Sequence, residues 1–249
     1  MRVLEGGVSA PPADGFEVVY VADSGAEHRV SLEQARSVRF EEALPVRRIP
    51  SYKGQRNLPG LWWSATLGTH VGFESWLERD HAMVLDFDPA VVGLSSQPLW
   101  LCWANAAGRP VSHAPDYFAR CADGSGIVVD CRPLERRKPR DLAKFEATRV
   151  ACDEVGWEYR LVGAPDAIVT ANVRWLAGYR HPRYWREPVA AELREVFSRP
   201  RGLVEGAGAV GDLIAVMPVL FHLLWNQVLQ VDLSVPFHAA SVVHTGRES

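Results

Sequence analysis

Residues 110–132 read PVSHAPDYFARCADGSGIVVDCR. Tyr117–Cys121 and Ile127–Cys131 are apolar runs of strand length, and Asp123-Gly124 between them is a tight-turn pair. Antiparallel pairing across that turn brings Asp116 and Asp130, fourteen residues apart (130 minus 116), side by side. Residues i and i+2 of a strand face one way, so Arg132 projects beside Asp130.

Outward from this hairpin the pattern stays α/β. Upstream, Phe73, Trp76, Leu77 and Val84 recur at helical spacing, and Asp88-Pro89 stops that helix. Val91–Leu94 and Leu99–Trp103 read as buried strands, followed by a turn at Ala107-Gly108 and a short strand Val111–His113. Downstream, a basic stretch around Arg136–Arg140 leads into a helix with Leu142, Phe145, Val150 and Val155 on its apolar positions. Gly156 closes it, and Trp157–Val162 is a last strand. The order is helix, strands, helix, strand. At the N-terminal side, residues 1–17 read as a flexible leader. Val18–Val21 and His28–Leu32 read as short strands, a polar helix follows near Leu32–Arg39, and Pro45–Pro59 reads as a basic surface arm with Arg47, Arg48, Lys53 and Arg56. Beyond Asp166, seven arginines between 174 and 201 interleave with Trp175, Tyr179, Tyr184 and Trp185. Gly206–Gly211 reads as a chain break before an apolar helix, and Val231–Leu233 with Ala240–Val243 as paired strands.

The chain has 249 residues, 47% of them hydrophobic, enough for a sizeable core. Its formal net charge of -3 and pI of about 6.2 announce no polyanionic partner globally, so any nucleic-acid surface must be local. Cysteines at 102, 121, 131 and 152 form no CxxC pair, which fits a reducing, cytoplasmic compartment rather than a zinc ribbon or disulfide framework. Leu213–Val231 carries one late interruption after another (Pro218, His222, Asn226, Gln227, Gln230), so a buried or partner-facing helix is expected and no membrane span.

Hydrolysing a phosphodiester requires an activated water and relief of charge on the phosphoryl oxygens. Mg²⁺ supplies both when two or three carboxylates converge on it, and Mn²⁺ substitutes. Asp116 and Asp130 are two candidates. Glu74 and Glu78, four apart on one helix face, offer the third. His113 is a further candidate beside the turn, and the His222 and Trp225 pair reads as core or partner-facing.

PD, thirteen intervening residues and D-x-R approach the PD-(D/E)-x-K signature of restriction-type nucleases. Together with ESWLERD, the Gln97-Pro98 pair, HAPDYF, VVDCRP and the unit ending VGWEYRLVG, the stretch from Gly72 to Gly163 resembles the TnsA-type endonuclease subunit of heteromeric transposases. LLW followed by VDLSVP resembles that family's C-terminal winged-helix region. The resemblance implies that Glu78 stands for the helix-borne catalytic glutamate, with Gln97 nineteen residues on (97 minus 78). It implies Asp116 as the PD aspartate, Asp130 as the third-strand acidic position and Arg132 in place of the catalytic lysine. Arginine stays protonated, so Arg132 can clamp a phosphate but not act as a base. Metal-bound hydroxide then serves, or Lys144 reaches in from the next helix.

The expectation is thus an α/β protein with a restriction-endonuclease-like core, a mixed sheet flanked by helices, over residues 18–165 (an N-terminal extension covering 18–68). A helical, winged-helix-like domain over 166–249 completes it. Expected catalytic residues are Glu78, Asp116, Asp130, Arg132 and Lys144, the first three also holding Mg²⁺, with Glu74, Gln97 and His113 as secondary candidates. Arg136, Arg137, Lys138, Arg140, Arg174, Arg180 and Arg183 are expected to contact DNA. By resemblance, the chain nicks one strand of double-stranded DNA at transposon ends, beside an integrase-type transposase and an ATPase regulator. A stand-alone restriction or repair nuclease, and a degenerate DNA-binding or assembly module, remain the alternatives.

Overall fold

The computed structural model describes residues 15–47 and 58–246, with the Arg140 side chain outside that set. Most of the expected leader, and Arg48, Lys53 and Arg56 of the arm, therefore lie outside the described residues. The chain opens with a hairpin, β1 (Glu17–Val21) and β2 (Glu27–Ser31), and a one-turn helix α1 (Leu32–Ala35). Ser31 and Gln34 cap that helix reciprocally, which satisfies two donors at its start. It is shorter than the expected 32–39, and a 3-10 turn at Phe40–Glu42 follows. Next come β3 (Gly60–Trp63), β4 (His70–Phe73), α2 (Trp76–Phe87), β5 (Val91–Ser96) and β6 (Leu99–Ala104). Then follow β7 (Pro110–His113), β8 (Tyr117–Cys121), β9 (Gly126–Cys131), α3 (Pro139–Val155) and β10 (Glu158–Val162).

These strands make two four-stranded sheets, β2-β1-β6-β7 and β10-β9-β8-β5. Strand β10 runs parallel to β9, with α3 as the crossover; the other two pairs of the second sheet are antiparallel. Ser96 lies opposite Tyr117 and Leu101 opposite His113, so β5–β6 and β7–β8 are successive stretches of one long ribbon. Gln97 N–H continues its ladder to the Asp116 carbonyl at 2.9 Å. Pro98 and Pro115 flank that bond and have no N–H to give, so the ladder breaks there. At this break the ribbon leaves one sheet for the other.

Phe16, just before β1, and Val18, Leu99 and Leu101 of the first sheet share a core with Phe118 and Val128 of the second and with Ala151, Cys152 and Val155 of α3. Phe118 meets Phe40 and Trp157 edge-on at centroid distances of 5.4 and 5.5 Å. Each such pair adds about 0.5–1.5 kcal/mol to plain area burial. Gly156 ends α3 in the left-handed region at φ 73°, as its place in the sequence required. Alternation along β9 sends Val128 and Asp130 toward α3. Val129 and Cys131 face the other way, as does Tyr117, whose hydroxyl donates to the Gly72 carbonyl at 3.1 Å.

The described residues form two compact units, one within 1–62, 70–79 and 90–163, the other within 63–69, 80–89 and 164–249. The expected boundary was at 165/166, and the two short upstream segments of the second unit were not foreseen. Within that unit buried Asp86 gathers the 63–69 turn, accepting from Ser64 Oγ at 2.6 Å and from the Ala65 and Thr66 N–H groups at 3.0 Å. Helices α4 (Ala167–Ala177) and α5 (Glu187–Val196), strand β11 (Arg201–Gly202), helices α6 (Leu203–Val210) and α7 (Leu213–Trp225), and strands β12 (Leu229–Val231) and β13 (Val242–Thr245) follow. The last strands pair in the order β11-β13-β12. The expected break at Gly206–Gly211 is instead largely helical. A Cβ on Gly206 would lie 2.2 Å from the Phe197 ring, so glycine here permits close packing rather than a turn. Among the described residues no single helix is long and apolar enough to cross a membrane.

Candidate functional site

The site forms where the bent ribbon meets the start of α2. Extending the β8–β9 register by one residue from Tyr117 opposite Val129 sets Asp116 opposite Asp130. Asp116 turns its carboxylate along the strand end, and its Oδ2 accepts from the Cys131 N–H at 2.7 Å. Burial raises the Asp116 carboxyl well above the usual range. The charges of Asp130 and Glu78 add to the rise, and the Cys131 N–H and Arg132 oppose it. A strip of Asp116 still reaches solvent, although protein crowds it on most sides.

Glu78 sits in the first turn of α2 and folds back over it. Its Oε2 accepts from the Glu74 N–H at 2.6 Å and its Oε1 from the Ser75 hydroxyl at 2.8 Å, while Ser75 Oγ receives the Glu78 N–H at 3.3 Å. Ser75 thus caps the Glu78 N–H as in a capping box, but the Glu78 side chain reaches one residue further back, to the Glu74 N–H rather than that of Ser75. Burial raises the Glu78 carboxyl; the two capping donors and Arg47 lower it, and Glu74 raises it. Each capped oxygen keeps a second lone pair, so capping fixes Glu78 without exhausting it.

Glu74 does not face the same partners. Its Oε1 accepts from Gln97 Nε2 at 2.9 Å and pairs with Arg47 at 3.1 Å. Gln97 is 2% exposed and holds φ 48°, a left-handed conformation that costs a non-glycine residue about 1–3 kcal/mol. Its Oε1 is buried without a hydrogen-bond partner among the described residues, at a further cost of about 1–3 kcal/mol. Two local costs therefore fall on one residue between the carboxylates.

Asp130 departs from expectation. It is 2% exposed and points toward α3, where both its oxygens lie 2.9 Å from His113 Nε2 and Oδ2 also accepts from the Tyr159 hydroxyl at 2.7 Å. Against an ionised carboxylate, His113 Nε2 must carry the proton. Asp130 thus joins β7 of the first sheet to β9 and β10 of the second. Burial and the Asp130 charge raise the Tyr159 hydroxyl far above its ordinary value. The structure brings Asp116 into the electrostatic reach of both Glu78 and Asp130 but does not converge all three on one point. Alternation in β9 turns Asp130 from the face where Tyr117 meets Gly72. Among the described residues no group of three or more His, Cys, Asp or Glu side chains is arranged to hold a metal ion. Tyr159 left no signal in the sequence, because its partner lies 29 residues away.

Arg132 is exposed, and its charge acts on Asp116. Lys144 Nζ donates to the Ser112 carbonyl at 3.2 Å. Of the expected DNA contacts, Arg136 and Lys138 are exposed. Arg137 instead donates to the Arg132 and Leu161 carbonyls at 3.3 Å. In the second unit Arg174 pairs with Asp80 at 3.1 Å, Arg180 donates to the Trp63 carbonyl at 2.9 Å, and Arg183 lies 5.0 Å from the Tyr184 ring centroid. Burial lowers the Arg180 guanidinium from its usual value. His222 Nδ1 donates to the Tyr179 carbonyl within the core, at 2.7 Å. Neither the protein-family models nor the curated proteins compared with this chain match it.

Proposed function

We propose that this chain is a Mg²⁺-dependent DNA endonuclease subunit of the TnsA type, nicking one strand at transposon ends. An integrase-type transposase would cut the other strand, and an ATPase regulator would license both. The observation that carries this reading is Asp116: a carboxylate with one oxygen anchored on Cys131 N–H, its charge disfavoured by burial, Asp130 and Glu78, and an arginine beside it. A divalent cation relieves that crowding. The helix, strands, helix, strand succession of α2, β5, β8, β9, α3 and β10, with β9 and β10 parallel, supports a restriction-endonuclease-like core. The order α5, β11, α6, α7, β12, β13 with its three-stranded sheet supports a winged-helix reading of the second unit.

The donor set fits a hard cation. Asp116 and Glu78 would hold it, which suits Mg²⁺, an ion that takes one or two carboxylates and keeps waters and substrate oxygens. When bound, it supplies an activated water and charge relief on the phosphoryl oxygens. Arg132 then clamps the scissile phosphate and, always protonated, leaves proton removal to another group. Asp130, His113 and Tyr159 hold the two sheets together behind the site. The products are a 5′-phosphate and a 3′-hydroxyl.

Cleavage of a transposon-end duplex, with the partner transposase and Mg²⁺ present, tests this. The Asp116→Ala protein should fold and assemble yet leave the strand intact. Full cleavage by it would sink the nuclease assignment. Arginine at position 132, where the family places lysine, favours one second reading: a degenerate fold kept for DNA binding or assembly. Metal binding without cleavage in any partner mixture would select it.

A further inference from the structure

We infer that Gln97 is the positioning residue that sets the separation of Glu78 and Asp116. The inference rests on reading those two carboxylates as the metal-holding pair. One continuous path joins them. The Gln97 N–H donates to the Asp116 carbonyl at 2.9 Å, Gln97 Nε2 donates to Glu74 Oε1 at 2.9 Å, and the Glu74 N–H donates to Glu78 Oε2 at 2.6 Å. A second path braces the first: the Gln97 carbonyl accepts from the Val46 N–H at 2.9 Å, and the next residue, Arg47, pairs with Glu74 at 3.1 Å. Gln97 is thus gripped at its N–H, its carbonyl and its side-chain amide, each by a different segment. Glycine or asparagine would suit the left-handed backbone better, and neither side chain spans to Glu74. Glutamine at this position makes sense as a strut: it is long enough to cross from the ribbon bend to Glu74, and stays in a conformation it does not favour in order to do so. Its unpaired Oε1 belongs to the same compromise, since the amide is turned to give its N–H to Glu74. Partners that orient metal ligands without touching the metal typically govern affinity about 10–100-fold.

The test uses the full chain, with Mn²⁺ binding by calorimetry, urea unfolding of the metal-free protein, and cleavage with the partner transposase. Gln97→Gly keeps the left-handed bend and removes the strut. Mn²⁺ affinity should fall about 10–100-fold, with the urea midpoint unchanged or raised. Gln97→Asn, which also tolerates the bend but falls short of Glu74, should behave alike. Glu74→Gln keeps an acceptor for Gln97 Nε2 and should retain most of the affinity, whereas Glu74→Ala should match Gln97→Gly. Wild-type Mn²⁺ affinity in both Gln97 variants overturns the inference. So does a loss of affinity that merely tracks lost folding stability in both. An Asp116→Ala protein that binds Mn²⁺ normally overturns the underlying site instead, so the two failures are told apart.

Discussion

Replacing Asp130 by asparagine separates a carboxylate that holds metal from one that holds the fold. Asp130 is 2% exposed and accepts from His113 Nε2 and the Tyr159 hydroxyl. Hydrogen bonds to an ionised group contribute about 1.5–3 kcal/mol each, and neutral ones about 0.5–1.5. Making both bonds neutral therefore removes about 2–3 kcal/mol. An asparagine oxygen in the Oδ2 place can still accept from both donors, but its amide N–H₂ then stands where Oδ1 meets the His113 Nε2–H, donor against donor, at about 1–3 kcal/mol more. Relief of the repulsion that Asp130 exerts on Asp116 works in the opposite direction. The expected net loss in the metal-free protein is about 2–4 kcal/mol, read by urea unfolding at neutral pH. Mn²⁺ affinity should fall only modestly. An Asp130→Asn protein of unchanged stability that no longer binds Mn²⁺ would refute this reasoning and restore Asp130 as a ligand.

The remaining predictions concern the same crowded corner and the packing around it. Both Asp116 and Glu78 carry raised carboxyls, so the folded state binds their protons more tightly than the unfolded chain does. Stability of the metal-free protein should therefore fall as pH climbs from the ordinary carboxylate range, near 4, through the raised values. Mg²⁺ should flatten that slope, as should Asp116→Asn, in urea titrations run across the range; a slope indifferent to both would contradict the crowding. Arg132→Ala should lose about 2–4 kcal/mol of transition-state stabilisation in single-turnover cleavage, with Arg132→Lys retaining part of it. Equal rates in Arg132→Ala and the unmodified protein would remove the phosphate clamp. Gly206→Ala should destabilise the second unit by about 1–3 kcal/mol in thermal unfolding, because its Cβ would meet the Phe197 ring at 2.2 Å. A neutral result would mean the ring moves aside freely.

Local chemistry made much of this fold legible. Turn pairs such as Asp123-Gly124, the Gly156 helix stop and the apolar runs of β8 and β9 each act within a few residues. The Ser75–Glu78 cap is equally local, and it fixes where Glu78 stands. What the sequence hid is long-range. No period or spacing tells that Asp130 will find His113 and Tyr159, 17 and 29 residues away. The bend at Gln97 was likewise invisible, because a left-handed glutamine has no local signature; only the flanking prolines hinted at a broken ladder. Gly206 misled for a related reason. Glycine marks chain breaks and close helix packing alike, and only the Phe197 ring decides between them. Among the arginines, composition suggested a DNA-facing set, but the Arg180 guanidinium spends its donors on backbone carbonyls of its own unit.

Anomalous diffraction from crystals of the protein soaked in Mn²⁺ tests the central claim most directly, since it reports the ion's position without requiring partner, DNA or turnover. The account predicts a peak held by Asp116 Oδ1 and a Glu78 oxygen at roughly 2.0–2.6 Å, with Asp130 still bonded to His113 and Tyr159. A peak on Asp130 and His113, or none near Asp116 at saturating Mn²⁺, would contradict it.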